Sequence, residues 1–330
     1  MVAAGDVKVV DDWPEPRCGP DEVVVAVAGV GLCGSDLAVV AGERPVPSLP
    51  WVLGHEAFGV ILAVGGQVSG REVGQRVVIE PNFPCLACEQ CAAGTTAGCP
   101  RRRSAGISAP GLLAERVAVP AAFAWPVPDT WPDEDVVCVE PLTVALGVVR
   151  SAEVRPGQRC LVVGAGAQGL LVSLAVLQAG AVPFVTDPHP GRVQLAERLG
   201  ARTDPDKDLD WRFPAVIETS GAPEAFESAL DRTAAGGCLV VVGQSARPAR
   251  VPTFTLVQRR LTVRGLLIYD HPGGFTQTLS VMRQGQLRPG RILVARFGLG
   301  EAPRAFAEAT DIAGKSWITL ARPEAEEARR

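Results

Sequence analysis

The sequence predicts an α/β chain of two domains: one antiparallel and barrel-like, the other a doubly wound parallel sheet. Three observations predict it. Residues 159–187 run strand, glycine-rich turn, apolar helix, strand. Upstream, short strand-like runs alternate with many Gly and Pro residues. The 330-residue length fits two domains of about 100–200 residues each.

The elements follow in order. EVVVAVAGVG (22–31) and QRVVIEP (75–81) read as short strands of the first domain. VVCVEPLTVALGVV (136–149) reads as a strand-to-helix segment. In RCLVVGAGAQG (159–169), the run LVV is a buried parallel strand, and LLVSLAVLQAG is the helix that follows. PFVTDP gives a second short strand tipped by Asp187. AVIETSGAP (215–223), CLVVVGQ (238–244) and LTVRGLLIY (261–269) are further strand units. They are ended by Ser220-Gly221, Gly243 and Tyr269-Asp270. RILVARF, APRAFAEA and SWITLA then return strand, helix, strand to the first domain. The expected division is 1–145 with 285–330 for the first domain and 146–284 for the second. The tail PEAEEARR is charged and expected to fray.

Hydrophobic residues make up 47% and charged residues 21%, which excludes a disordered or coiled-coil chain. The net charge of -4 leaves no basic footprint, so no nucleic-acid partner is expected. Arg101-Arg102-Arg103 reads as a solvated loop. The opening MVAAGDVKVVDDW carries charges and no apolar core, so no signal peptide is expected. The apolar stretch from Gly169 is broken by Gln178, Gly180 and Pro183 and is too short for a bilayer. A cytoplasmic protein with no membrane partner is expected.

Nine cysteines without a secretion signal point to metal rather than disulfides. Cys85, Cys88, Cys91 and Cys99 are spaced C-x2-C-x2-C-x7-C. Four thiolates so close can surround one zinc ion and leave no position for water, which makes a structural site. An iron–sulfur cluster would accept the same four ligands. Cys160 and Cys238 sit in apolar runs and read as small core residues.

A second metal site would keep an open position. Cys33 in GVGLCGSDL and His55 in GHEAFGV, each in a Gly-flanked turn, can meet in space. With a carboxylate, Glu56 or Glu140, they would form an S,N,O site on zinc with room for an alcohol.

The turn Gly164-x-Gly166-x-x-Gly169 meets the requirements of a dinucleotide fingerprint, with Gln168 inside it. Gly164 makes the tight turn, Gly166 lets backbone approach a pyrophosphate, and Gly169 allows close helix–strand packing. The helix N-terminus faces the phosphates with free N–H groups. Asp187, 18 residues beyond Gly169, would accept hydrogen bonds from a ribose diol and repel a 2′-phosphate, favouring NAD. Arg192 would flank the adenine, and a cation there also admits NADP.

Taken together and in this order, these motifs resemble the zinc-containing medium-chain dehydrogenase/reductase family, from PDEVVVAVAGVGLCGSD to GKSWITL. The resemblance implies a GroES-like antiparallel β-barrel catalytic domain and a Rossmann coenzyme domain. It implies two zinc ions per chain, one catalytic and one structural. Cys33 and His55 match the first two catalytic-zinc ligands. Glu140, where simple alcohol dehydrogenases place a cysteine, resembles the polyol, sorbitol and threonine dehydrogenase branch. There the position of Glu56 also binds zinc, directly or in exchange with water, and the choice between Glu56 and Glu140 stays open. Cys138, two residues before Glu140, is a minor ligand candidate beside a buried apolar role. Asp36 matches the carboxylate that orients the ligand histidine, and Ser35 the hydroxyl that contacts the alcohol. Ser220 is placed with the coenzyme-binding residues. The family's relay histidine is replaced by Ala38, so the proton needs another route: Ser35, ribose and water, Glu140, or His271. His189 is expected near the adenosine end or in solvent.

The expected activity is reversible oxidation of a secondary alcohol (a polyol, sugar, cyclitol or amino alcohol) with NAD, or less favourably NADP. A simple alcohol or aldehyde reductase and a catalytically silent NAD-binding sensor are the alternatives. A homodimer or homotetramer is implied, joined along residues 261–269.

Overall fold

A computed structural model describes residues 1–203 and 212–321. The tail PEAEEARR lies outside the described residues. The chain divides into two compact units, Met1–Glu140 with Leu293–Arg330, and Pro141–Ile292.

The first unit opens with β1 (Glu22–Gly31), α1 (Gly34–Val40), β2 (Glu56–Val64) and β3 (Arg76–Ile79). A lobe follows, with β4 (Asn82–Phe83), α2 (Glu89–Ala92) and β5 (Arg103–Ser104). Next come β6 (Arg116–Pro120), β7 (Ala124–Pro126), α3 (Asp133–Val136) and α4 (Val139–Ser151), which starts in the first unit and continues into the second from Pro141. Residues 136–149 therefore hold the end of α3, a two-residue turn and most of α4, and not a strand-to-helix segment. Pro132 and the acids Asp133, Glu134 and Asp135 open α3, and a short buried apolar run does not by its periodicity tell helix from strand.

The second unit follows with β8 (Arg159–Val163), α5 (Ala167–Gln178), β9 (Val182–Thr186) and α6 (Pro190–Arg198). It continues through β10 (Arg202–Thr203), β11 (Phe213–Glu218), α7 (Pro223–Arg232) and β12 (Thr233–Val241). Then come α8 (Thr253–Arg259), β13 (Thr262–Gly265) and α9 (Gly273–Arg283). The chain returns to the first unit with β14 (Leu293–Gly298), α10 (Ala302–Glu308) and β15 (Lys315–Thr319).

The first unit's main sheet has the order β14-β15-β1-β2-β3-β7, with β6 also on β1. Its pairs are antiparallel except β14 with β15, which are parallel. Parallel neighbours need a crossover, and α10 supplies it. Val23, Val25, Val27, Ile61, Val77, Ile79 and Ile318 fill its core. The second unit's sheet, order β10-β9-β8-β11-β12-β13, is parallel throughout. Its central strands β8, β9 and β11 are nearly continuous apolar runs, as strands covered on both faces require, and Leu161, Val216, Leu239 and Phe213 lie in the core. Among the described residues, no helix is long and apolar enough to cross a membrane.

Candidate functional sites

The first site grows from the end of β1. Cys33 is the extended N-cap of α1, and Asp36 lies one turn in, fully buried. The Asp36 carboxylate accepts from the Cys33 backbone N–H at 3.1 Å, the Gly54 N–H at 3.1 Å and His55 Nδ1 at 3.0 Å. Gly54 has φ +86°, a left-handed conformation that favours glycine, and it delivers His55 to the start of β2. With Nδ1 committed to Asp36, Nε2 lies 3.3 Å from Ser35 Oγ. Burial disfavours charge on His55, but the neighbouring Asp36 carboxylate outweighs it and holds the imidazole pKa well above its usual value.

Ligand atoms of Cys33, His55 and Glu56 all lie within 4.8 Å of one another. Glu56 Oε1 is buried without a hydrogen-bond partner. A thiolate, an imidazole nitrogen and an orphaned carboxylate oxygen form a donor set that fits zinc. Glu140 is buried in the first turn of α4 and falls outside this three-residue group. Cys138 is fully buried beside it, and burial pushes its thiol pKa far up.

One partner was invisible in the sequence. Lys315, at the start of β15, is 2% exposed. Its ammonium ion-pairs with Glu56 Oε2 and donates to the Leu32 carbonyl at 2.8 Å. A lysine after Gly314 reads as a solvated turn residue, and only the pairing of β15 with β1 reveals its burial.

The four cysteines of the lobe converge. Sγ separations are 3.5 Å for Cys88–Cys91, 3.8 Å for Cys88–Cys99 and 3.5 Å for Cys85–Cys99. A tetrahedron of ~2.3 Å metal–sulfur bonds has edges of ~3.8 Å, so the cradle fits zinc and is too open for disulfides. The Ala87 backbone N–H draws the Cys85 thiol pKa down, while burial pushes that of Cys91 up. Arg101 and Arg103 are exposed, as a solvated loop requires, while Arg102 is half-buried and donates to the Ala97 carbonyl, so one member of this basic run braces the lobe.

In the second unit, the glycine turn joins β8 to α5. Gly164 has φ +95°. A Cβ at Gly169 would sit 1.9 Å from the Gly164 carbonyl oxygen, whereas a Cβ at Gly166 meets nothing within 4 Å. Gly169 therefore serves packing, and the space over Gly166 suits a pyrophosphate. Asp187 accepts from the Ala165 N–H at 2.8 Å and the His189 N–H at 2.8 Å, which fixes its carboxylate at the tip of β9. Gln168 donates to the Pro141 carbonyl at 3.3 Å, and Arg192 lies half-buried at the start of α6.

Two further residues, missed in the sequence, stitch this rim. Thr219 Oγ1 donates to the Val163 and Gly164 carbonyls at 3.1 Å each. Glu218 Oε1 accepts from Ser220 N, Ser220 Oγ and Gly221 N at 2.7, 2.5 and 2.9 Å. Its carbonyl accepts from Val242 and Gly243 N–H groups. The Ser220 hydroxyl is thus engaged within its own turn. An acid ending a wholly apolar strand was the available signal.

Known proteins match this chain over most of its length. The model of the alcohol dehydrogenase GroES-like domain matches residues 19–129, and that of the zinc-binding dehydrogenase matches 167–284. A probable D-xylulose reductase A of Neosartorya fischeri is 31% identical over 94% of this chain and 92% of its own. A putative zinc-binding dehydrogenase of Sinorhizobium meliloti, solved bound to NADP, has TM-score 0.89 and 27% identity, covering 96% of this chain and 97% of its own. The 2R,3R-butanediol dehydrogenase of Bacillus subtilis has TM-score 0.86 and 28% identity, covering 96% of each chain. With its two zinc-fitting cradles and its glycine-rich coenzyme turn, the chain belongs to the zinc-dependent alcohol dehydrogenases of the medium-chain dehydrogenase/reductase family.

Proposed function

We propose that the protein oxidises a secondary alcohol of the polyol class, reversibly, with NAD as hydride acceptor. The observation that carries this reading is the convergence of Cys33, His55 and Glu56 within 4.8 Å. Cys33 and His55 would hold the catalytic zinc, with Glu56 as the carboxylate ligand. Zinc at this position supplies Lewis acidity to a substrate hydroxyl. Asp36 fixes the imidazole tautomer and ring plane, so the metal-facing nitrogen needs no reorientation. Ser35 Oγ, 3.3 Å from His55 Nε2, is placed to take the hydroxyl proton. Ala38 offers no titratable group, so Ser35 hands the proton on through water. The second unit would bind the coenzyme, with the pyrophosphate over Gly166 and the adenosine ribose at Asp187. A fixed carboxylate there favours a ribose diol over a 2′-phosphate. The xylulose reductase and butanediol dehydrogenase relatives act on neighbouring-hydroxyl compounds by name, which supports a polyol substrate.

The outer edge of β13 has no strand partner among the described residues, and we infer that a second copy pairs along it.

The test is coenzyme reduction across a polyol panel, with NAD and NADP, for the wild type and Cys33→Ala. Activity with polyols and NAD, lost in Cys33→Ala, is expected. Undiminished turnover by Cys33→Ala would overturn the reading.

A further inference from the structure

The parallel sheet divides at β8: β9 and β10 lie on one side, and β11, β12 and β13 on the other. A dinucleotide lies across such a division, with one nucleoside on each side. With the pyrophosphate at Gly166 and the adenosine ribose at Asp187, the nicotinamide nucleoside falls to the tips of β11 and β12. Glu218 ends β11 there and is 1% exposed. Its backbone carbonyl holds the turn after β12, accepting from the Val242 and Gly243 N–H groups. Its side chain holds the turn after β11, at Ser220 and Gly221. The two turns touch, since a Cβ on Gly243 would lie 2.0 Å from Gly221 N and 2.7 Å from Glu218 Oε2. One residue thus ties both turns of this edge.

The groups that donate to Glu218 Oε1 are two backbone N–H groups and the Ser220 hydroxyl, and all are uncharged. A trans peptide points its carbonyl opposite to its N–H, so the Thr219 and Ser220 carbonyls turn away from Glu218. Among the described residues, neither carbonyl accepts from a backbone N–H. The turn after β11 therefore directs acceptors, not donors, away from the buried carboxylate. The second oxygen, Glu218 Oε2, is buried with no hydrogen-bond partner among the described residues. An ionised oxygen left in this way costs stability, and that cost falls when a cation comes near. The nicotinamide ring is such a cation in NAD and is neutral in NADH.

We propose that Glu218 is a positioning residue of the coenzyme edge: it sets the turns 219–221 and 242–244, and its buried charge favours the cationic NAD over the neutral NADH. The proposal rests on the coenzyme reading given above. Glu218 touches neither coenzyme nor substrate. It acts on binding through the two turns, and on the choice between redox forms through its charge. Even at about 10 Å, with an effective dielectric constant of about 20, two unit charges attract strongly enough to change an affinity about tenfold.

The test titrates the full-length protein with NAD and with NADH by calorimetry, which requires no turnover. Glu218→Gln keeps an acceptor oxygen for the turn and removes the charge. It should bind NAD about tenfold more weakly than the wild type does, while its NADH affinity stays within about twofold. Glu218→Asp keeps the charge but draws it back from the turn, so both affinities should fall together, by about fivefold. A merely structural residue would move both coenzymes alike in Glu218→Gln, and a wild-type ratio of the two affinities there would overturn the proposal. Should Glu218→Gln not fold, Glu218→Asp decides, and unchanged affinities or a changed ratio defeat the proposal. A wild type that binds neither coenzyme refutes the coenzyme reading itself, and the proposal with it. Binding of both to the wild type, with the ratio kept in Glu218→Gln, refutes the proposal alone.

Discussion

Asp36 and His55 face each other at 3.0 Å in an interior where the carboxylate has no exposed surface. The same carboxylate gathers the N–H groups of Gly54 and Cys33, so one side chain fixes both residues read as zinc ligands. Asp36→Asn keeps the shape but presents donors where acceptors are needed. Partners that orient a metal-ligating histidine are worth about 10–100-fold in metal affinity. Asp36→Asn is expected to lower zinc affinity at this site by that factor while the four-cysteine lobe stays loaded. Competition with a chromophoric chelator checks it, and an unchanged affinity would remove Asp36 from the site.

The lobe should behave differently. Its four thiols fill a tetrahedron, and that leaves the metal no free position for chemistry. Cys88→Ser is expected to lose one zinc per chain, lower the melting temperature and open residues 85–103 to protease. Structural zinc in small peptides contributes about 10–16 kcal/mol of apparent binding energy, so the loss should be large locally. Metal analysis and limited proteolysis check this. A Cys88→Ser protein with full zinc content and an intact lobe would show that the four thiols do not act together.

The four-cysteine cradle and glycine turn were legible because they are short-range patterns: four cysteines in one lobe, and three glycines between a strand and a helix, whereas Cys33 and His55 were paired through the family resemblance. Asp36 was legible only through family resemblance. Lys315 and Glu218 were not legible. Lys315 meets Glu56 across 259 positions of chain, through strand pairings that no local window contains. Glu218 closes a turn only two and three residues ahead, but its apolar strand hides a carboxylate whose partners are backbone N–H groups. The segment 136–149 was misread for a related reason, since burial on all sides erases the period that separates helix from strand.

The glycines of the coenzyme turn separate packing from binding. Gly169→Ala would force a methyl to 1.9 Å from the Gly164 carbonyl oxygen, a backbone atom that cannot swing away. Overpacking of this kind typically costs about 1–3 kcal/mol, so the variant should melt several degrees lower. Gly166 has φ -68°, open to any L-residue, and empty space above it. Gly166→Ala should therefore fold and melt like the wild type, yet bind NADH about tenfold more weakly, because the methyl occupies the pyrophosphate position. Calorimetry and NADH fluorescence titration read the two effects. Equal NADH affinity in Gly166→Ala would move the phosphates elsewhere.

The edge of the parallel sheet gives the last prediction. β13 pairs with β12 on one side, and its residues Thr262–Gly265 are all exposed. Val263 is 40% exposed and Leu267 47%, at the rim of a sheet whose central strands β8 and β11 are nearly all covered. An open edge with apolar side chains and no bulge is a template for another strand, and natural monomers blunt such edges with charge. Only Arg264 stands there, and it is drawn away to Glu153 at 2.7 Å and to the Ser151 carbonyl. A two-fold axis beside β13 would join two six-stranded sheets into one, in an isologous contact. The wild type should then run in light scattering at twice the 34.5 kDa chain mass or a multiple of it. Val263→Lys, which places a charge on the edge, should run as a single chain with its zinc content intact. A wild-type monomer, or a Val263→Lys variant of unchanged mass, would show that β13 is not the contact.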